Sequence, residues 1–193
     1  MEKMNQKAIE LLEKSQIEEN DFSANELIRE AIDLLSNKNK SSDKDAFDYY
    51  VLGYAWYLLR IESDERCYNV ENNFKLSIEK NTENNWPKLY LGHYYFDIGE
   101  YENALAFFSS VKGDEFLEFD QVWRLLKLKE LIICCKLYLN NMDFCIDEYV
   151  SLYEKEDAVN RPEIHELKSC FMVVADSLGK SVREKISNFI YKY

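Results

Sequence analysis

The spacing of its apolar residues constrains the fold of this chain more than any other feature. Along nearly the whole sequence these residues recur three and four positions apart, which is the period of an amphipathic α-helix. One such run is Leu27, Ile28, Ala31, Leu34 and Leu35, and another is Leu125, Leu128, Ile132, Cys135 and Leu139. Gly and Pro, at 5 and 2 among 193 residues, are too scarce for a turn-rich β fold. The sequence therefore predicts an all-α protein.

Polar clusters interrupt this pattern and predict where one helix ends and the next begins. They lie at residues 18–23, 36–45, 81–85, 98–101, 112–120, 140–143, 157–162 and 179–181. Ser23 followed by Glu26 has the spacing of a capping box, and Pro162 fits the first position of a helix. Because the connections are short, we expect antiparallel neighbours that bury their apolar faces in a bundle or in a stacked array.

The most specific pattern lies at residues 86–111. Small residues at Gly92 and Ala104 would let two antiparallel helices cross closely, and Gly99 would permit the turn between them. Eight residues stand at the positions expected of a tetratricopeptide repeat: Leu91, Gly92, Tyr95, Gly99, Tyr101, Ala104, Phe108 and Val111. The segment therefore resembles this family, whose helical hairpins stack into a right-handed superhelix.

Other parts of the chain repeat this pattern. Leu52 and Gly53 are followed by Phe74 in a repeat with about five extra residues, as in the longer Sel-like relatives. The resemblance implies one domain over residues 1–193, a right-handed stack of antiparallel helical hairpins of the tetratricopeptide-repeat (TPR) type with C-terminal capping helices. The repeats would lie at about 4–36, 46–80, 86–112 and 121–155, and the capping helices at 162–192.

Charge and terminal sequence limit the classes of partner and the compartment. Asp plus Glu number 36 against 24 for Lys plus Arg, and the net charge of −12 repels nucleic acid and anionic membranes. Residues 61–120 alone hold 13 acidic and 5 basic residues, which would steer a basic partner toward them, unless the charge only maintains solubility. The chain shows no signal peptide or membrane span, and its five cysteines form no C-x-x-C pair, so we expect a cytoplasmic protein with reduced thiols.

Motifs that could carry chemistry are incomplete in this sequence. Residues 179–181, Gly-Lys-Ser, match the end of a phosphate-binding loop, but Val174 stands where that loop needs a second glycine. His93 and His165 are the two histidines, and neither belongs to the His-Glu-x-x-His pattern of zinc proteases. We therefore expect a non-enzymatic protein that uses no metal and no cofactor.

Aromatic residues are the most informative feature for function, since they make up 15% of the chain. The resemblance implies that the first helix of each repeat lines a concave groove. The partner-binding positions would then be Tyr50, Tyr54, Tyr57, Leu89, His93, Phe96 and Asp97. A helix that is apolar on two sides is either buried all round or offers one side to a partner, so packing of these residues in the core is the alternative.

We therefore expect a protein–protein interaction module that binds another protein through an acidic, aromatic-rich groove. A partner with apolar anchors and Lys or Arg side chains fits such a groove best. A small acidic repeat protein would suit the neutralisation of a basic partner, as by an immunity protein or a chaperone. The alternative is an enzyme or a small-ligand-binding protein that uses the aromatic cavity around His93. The acidic segment 114–120 is either a second contact with the partner or a loop leading into a helix.

Overall fold

The computed structural model of this protein describes residues 2–37, 44–118, 121–139, 166–177 and 179–190. All regular structure in these ranges is helical, which confirms the all-α prediction for the part of the chain they cover. The helices are α1 (Glu2–Ile17), α2 (Asp21–Asn37), α3 (Ala46–Leu58), α4 (Asp64–Lys80), α5 (Asn85–Asp97), α6 (Tyr101–Ser109), α7 (Asp114–Glu118), α8 (Val122–Tyr138), α9 (Glu166–Val174), a 3-10 turn (Ala175–Ser177) and α10 (Lys180–Ile190). Several predictions concern residues outside these ranges. They are the breaks at 140–143 and 157–162, Pro162 as the first residue of a helix, the second half of the repeat at 121–155, and His165.

The chain forms two compact units, Met1–Tyr94 and Tyr95–Tyr193, and the boundary between them falls within α5. In the first unit α1 packs on α2, α3 packs on α4, and α2 also contacts α3. Consecutive helices there pair as the hairpin pattern predicts. In the second unit α8 packs against α6, α7 and α9. A single right-handed stack over residues 1–193, with a close crossing at Gly92 and Ala104, stays a prediction.

A glycine sets the distance between α3 and α4. A Cβ atom placed on Gly53 would lie 2.8 Å from Cδ1 of Phe74, whose ring is 0% exposed, so the ring packs directly on the backbone of α3. One turn further along α4, the Ser77 hydroxyl donates a hydrogen bond to the backbone oxygen of Ala46 at 2.6 Å. The residues that suggested a repeat at 46–80 are therefore those at which its two helices cross.

The start of α2 differs from the sequence prediction. The capping box predicted at Ser23 is wrong, because α2 begins at Asp21 and the Asn20 side chain accepts a hydrogen bond from the Ser23 N–H at 3.0 Å. Asn caps a helix as well as Ser does, and this start places an acidic residue in the first turn, where the helix dipole favours it. A capping box does occur at α3, where the side chains of Asp45 and Asp48 accept from each other's backbone N–H at 2.8 and 3.2 Å.

Arg60 joins three helices of the first unit. Its guanidinium donates to the backbone oxygen of Ser15 at 3.0 Å and to the carboxylate of Asp21 at 2.7 Å. The Asn25 amide, 7% exposed, accepts from the Arg60 N–H at 2.8 Å and donates to the Arg60 backbone oxygen at 3.4 Å. These bonds hold the ends of α1, α2 and α3 around an apolar interior. That interior consists of Ala8, Leu11, Leu12, Ile28, Ala31, Ile32, Leu35, Val51, Leu52, Ala55 and Leu59.

The polar break at 112–120 contains a short helix, α7, that the sequence pattern did not predict. Phe116 of α7 is 1% exposed and Leu117 is 47% exposed, so one apolar residue of the second candidate contact belongs to the interior and the next faces solvent. Ile186, in the last helix, is fully buried. None of the helices in the described ranges combines the length and the apolar character that crossing a membrane requires.

Candidate functional site

A group of aromatic rings on the first unit is centred on Tyr90. The centroid of this ring lies 4.7 Å from that of Tyr54 and 6.1 Å from those of Tyr50 and Tyr57. Phe74, Trp86 and His93 lie at 6.3, 6.5 and 6.1 Å from the same ring. We name this group the Tyr90 cluster, and its members are Tyr50, Tyr54, Tyr57, Phe74, Trp86, Tyr90 and His93.

Helical spacing on α3 and α5 brings together six of the seven members of the Tyr90 cluster, and Phe74 lies on α4. Tyr50, Tyr54 and Tyr57 follow one another at four and three positions and so share one face of α3. The same spacing relates Trp86, Tyr90 and His93 on α5. Centroid distances of 4.7 to 6.5 Å are those at which aromatic pairs attract each other beyond the effect of burial.

The cluster has a buried base and a partly exposed surface. Phe74 is fully buried and lies against Tyr50 and Tyr90, at 6.4 and 6.3 Å between centroids. The other members are half-buried, so each presents part of its ring to solvent. The Tyr54 hydroxyl donates to Oε1 of Gln16 at 3.3 Å, which also ties this ring to α1. Contacts within the fold therefore hold these rings in place.

A neighbouring tyrosine on α3 demonstrates that rings in this region attract cations. The ammonium groups of Lys44 and Lys80 lie 5.5 and 5.7 Å from the ring centroid of Tyr49, within the range of a cation–π interaction. Burial lowers the pKa of Lys44, and the nearby Asp48 carboxylate opposes that effect. Tyr49 is therefore in contact with two cations of its own chain.

The predicted partner-binding residues are divided between the two units. Tyr50, Tyr54, Tyr57 and His93 are members of the Tyr90 cluster. Leu89 is 5% exposed, so its side chain offers a partner little surface.

The remaining two predicted residues belong to the second unit. The Phe96 ring packs edge-on against Tyr101 and Tyr138, at 5.6 and 6.2 Å between centroids. Asp97 is exposed at the end of α5. A continuous groove that includes all seven residues stays a prediction.

Sequence reasoning missed Tyr90 and Trp86. The sequence analysis assigned the face of α5 that contains Leu89 to the groove. The face that meets α3 contains Tyr90, the next residue, which points about 100° further round the helix. The available signal was the spacing of Trp86, Tyr90 and His93, which matches that of the three tyrosines on α3. Aromatic residues occur all round α5, so its sequence lacks a polar face from which to fix the orientation.

A group of buried and half-buried titratable side chains lies in the second unit, along α8. Glu130, Cys134 and Tyr138 follow one another at intervals of four and share one face of the helix. Cys170, on α9, is close enough to Cys134 and Tyr138 for both to influence its pKa. The Tyr138 ring stacks on Tyr101 at 4.2 Å with an interplanar angle of 7°. We name Cys134, Tyr138 and Cys170 the thiol cluster.

Burial and hydrogen bonding shift the pKa values of the thiol cluster in opposite directions. The hydrogen bond from Cys134, with a second from Tyr138, lowers the pKa of Cys170 against the opposing effects of burial and of Glu130. Burial raises the pKa of both Cys134 and Tyr138. It also raises the pKa of Cys135, the next residue on α8, to about 12. Of the cysteines on α8 and α9, Cys170 is the one whose pKa is lowered.

Neither site has the donor set of a metal centre. Within the described ranges, no three His, Cys, Asp or Glu side chains are placed to hold a metal ion. The Glu130 carboxylate is 1% exposed and pairs with the Lys127 ammonium at 3.3 Å. A buried carboxylate with a cationic partner satisfies the usual condition for keeping its charge in the interior.

Comparison with known proteins adds no family assignment. No protein-family model matches the sequence, and no curated protein matches it. The resemblance to tetratricopeptide repeats therefore stays a prediction from the sequence, chiefly from the residues at 46–80 and 86–111.

Proposed function

We propose that this protein is a non-enzymatic interaction module with TPR-like helical repeats, and that it binds a partner protein through the Tyr90 cluster. The observation that carries the proposal is a contiguous set of partly exposed tyrosine, tryptophan and histidine rings contributed by two helices. Single exposed aromatic residues are common on protein surfaces, but contiguous patches mark binding sites. Tyr and Trp are also the residues most enriched among those that dominate binding energy.

Packing among the rings favours binding because it lowers the entropic cost of forming an interface. A tyrosine that moves freely must be immobilised when a partner binds, at a cost of about 0.5–1.5 kcal/mol for a flexible side chain. Tyr54 is held by Tyr50, by Tyr90 and by its bond to Gln16, so most of that ordering is complete in the unbound protein. The surface is therefore preorganised.

Charge indicates the chemistry of the partner. The net charge of −12, with 13 acidic against 5 basic residues in 61–120, attracts a basic protein and speeds its association. Ring faces accept ammonium and guanidinium groups, as Tyr49 does with Lys44 and Lys80. A partner that presents Lys or Arg beside apolar anchors fits both properties. Neutralisation of such a basic partner, by an immunity protein or a chaperone, is the specific role we propose.

Site-specific photo-crosslinking tests the proposal directly. A photoreactive phenylalanine replaces Tyr54 in one variant and Tyr68 in a matched control, and both are irradiated in the source cells. Tyr68, on α4, is 68% exposed and lies outside the Tyr90 cluster, so it controls for exposure and residue type. We expect one protein to be crosslinked through position 54 in defined stoichiometry and to be absent from the control.

Affinity measurements with the purified partner then separate contact from chance proximity. Tyr54→Ala and Tyr90→Ala should each weaken binding by about 30-fold, the effect of a residue that contributes 2 kcal/mol. Tyr68→Ala should change the affinity by less than about threefold. Circular dichroism and thermal melts establish that each variant is folded, and Tyr54→Phe, which keeps the ring, should retain most of the affinity.

Two results would contradict the proposal. One is equal loss of affinity in Tyr68→Ala and Tyr90→Ala, since the cluster would then have no special part in binding. The other is the absence of a crosslinked protein, together with a small molecule that raises the melting temperature of the wild type but not of Tyr90→Ala. That second result would support the alternative, an enzyme or ligand-binding protein with its site around His93.

A further inference from the structure

The helices α1 and α3 lie side by side in the first unit and run in the same direction. Near the start of both helices, the Asn5 side chain donates a hydrogen bond to Oδ1 of Asp48 at 2.8 Å. At the other end, the Arg60 guanidinium donates to the backbone oxygen of Ser15 at 3.0 Å. Because hydrogen bonds join the two helices at both ends, α1 and α3 are parallel neighbours, and their solvent-facing sides form one surface.

Gln16 connects α1 to the Tyr90 cluster. This exposed side chain accepts the hydrogen bond from the Tyr54 hydroxyl at 3.3 Å. Glu13 precedes Gln16 by three positions, so the two side chains are neighbours on α1, about 60° apart round the helix. Three residues correspond to about 4.5 Å along a helix axis and four residues to about 6 Å. Since the helices are parallel, Glu13 therefore lies at the level of Tyr50 and Tyr54, whose rings stack at 6.3 Å between centroids.

We propose that α1 forms a second wall of the partner-binding surface, and that Glu13 selects a Lys or Arg side chain of the partner, which lies against the Tyr54 ring with its charge toward the Glu13 carboxylate. This inference rests on the proposed function and adds to it the residue that recognises the partner's charge. A ring face attracts a cation, and a carboxylate one helical turn away adds a direct charge. A neutral side chain would gain only the apolar contact with the rings, so the surface favours a cation.

The same chain contains a comparable arrangement on α3. The Lys44 ammonium lies 5.5 Å from the ring centroid of Tyr49, and the nearby Asp48 carboxylate attracts it. There the ring and the carboxylate belong to one helix, and the cation belongs to the segment before it. At the proposed site the ring is on α3, the carboxylate is on α1, and the partner supplies the cation. Glu13 is exposed, so a partner reaches its carboxylate without rearrangement of the fold.

Photo-crosslinking from α1 tests whether this helix belongs to the surface. A photoreactive phenylalanine replaces Ile17, which is 83% exposed and shares a face of α1 with Glu13, so the carboxylate stays in place. The matched control carries it at Glu79, an exposed residue on the face of α4 that contains Tyr68. We expect position 17 to crosslink to the same partner protein as position 54, beside the same Lys or Arg of that partner, and position 79 to give no crosslink.

An exchange of charges tests Glu13 itself. Glu13→Lys should weaken binding of the purified partner by at least about tenfold, because two cations then face each other. Replacing the crosslinked Lys or Arg of the partner by Glu should also weaken binding, and combining the two changes should restore most of the affinity. Glu79→Lys changes the net charge equally, so it controls for long-range attraction and should weaken binding by less than about threefold. Circular dichroism establishes that both variants are folded.

The outcomes separate this inference from the proposed function. If Tyr54→Ala and Tyr90→Ala weaken binding but Glu13→Lys has no larger effect than Glu79→Lys, the inference is wrong and the proposed function stands. The same conclusion follows if position 54 crosslinks and position 17 does not, or if the exchange of charges restores no affinity. If no protein is crosslinked through position 54, the proposed function and this inference both fail.

Discussion

Gly53→Ala tests whether α3 and α4 approach as closely as the structure describes. The added methyl group would lie 2.8, 3.0 and 3.1 Å from three carbon atoms of the Phe74 ring. Carbon atoms in good contact are about 3.5–4.0 Å apart, so the ring or the helix would have to move by about half an ångström or more. Phe74 is fully buried, with Tyr50 and Tyr90 at 6.4 and 6.3 Å, and has little room to do so.

The expected free-energy change follows from two opposing effects. Inserting a methylene-sized group into a packed interior costs about 1–3 kcal/mol. Replacing a glycine inside a helix by alanine gains about 0.5–1 kcal/mol from helix propensity alone. Because the neighbour at Gly53 is a confined ring, we expect the packing cost to dominate and the free energy of unfolding to fall by about 1–2 kcal/mol. The melting temperature should fall by about 2–4 °C for each kcal/mol lost.

Urea denaturation followed by circular dichroism measures this change, and a double-mutant cycle identifies its cause. Phe74→Leu removes the ring, so Gly53→Ala should cost about 1 kcal/mol less in that background. Gly99→Ala is the control, because nothing lies within 4 Å of its Cβ position and its cost comes from the backbone angle φ of +78°. It should add to Phe74→Leu without coupling. An increase in stability of about 1 kcal/mol in Gly53→Ala would refute the close crossing, since helix propensity would then be the only effect.

Three further substitutions or conditions test other parts of the structure. Asn25→Ala leaves the backbone N–H and oxygen of Arg60 without their amide partner, and it should lower the free energy of unfolding by about 1–3 kcal/mol in urea denaturation. The control Asn103→Ala, at an exposed position, should change it by less than about 0.5 kcal/mol. Equal effects of the two substitutions would contradict the bridging role of Asn25. Asp45→Ala removes the N-cap of α3 and should cost about 1 kcal/mol in a thermal melt, and an unchanged melt would count against the capping box. Burial raises the pKa of Cys135 from 9.0 to about 12. The buried thiol therefore contributes fully to stability below pH 9, and this contribution is lost as the pH rises toward 12. The free energy of unfolding should fall by at most about 1.4 kcal/mol per pH unit in that range. Urea titrations between pH 9 and 12 should therefore show that the free energy of unfolding declines less steeply in Cys135→Ala than in the wild type. Parallel declines would contradict the raised pKa of Cys135.

Regular helical periodicity was sufficient to predict the fold class and most helix boundaries. The breaks at 81–85 and 98–101 coincide with the ends of α4 and α5, because polar residues cannot continue an apolar face. The repeat pattern also singled out Gly53, and this residue lies where the Phe74 ring of α4 packs on α3. The fold class and the helix ends could be predicted because they depend on residues that are close together in the sequence.

Other features depend on competition between two possible helix caps or on contacts between helices, and the sequence alone did not decide them. Asn20 and Ser23 can both cap a helix, and the earlier residue does so because α2 then gains three residues. The short helix α7 forms in a polar break, where the burial of Phe116 provides its apolar contact. Tyr90 was missed because α5 is aromatic on all sides, and only the contact with α3 decides which face the cluster uses.

Hydroxyl-radical footprinting is the most direct test of the proposal that the Tyr90 cluster binds a partner. It is done on the protein alone and with the purified partner that photo-crosslinking identifies. This method reports the solvent exposure of individual tyrosine side chains, so it compares the cluster with Tyr68 in one experiment. If the Tyr90 cluster is the binding surface, the partner will slow the modification of Tyr54, Tyr57 and Tyr90 and leave Tyr68 unchanged. Protection at Tyr68 with unaltered rates at those three residues would contradict it.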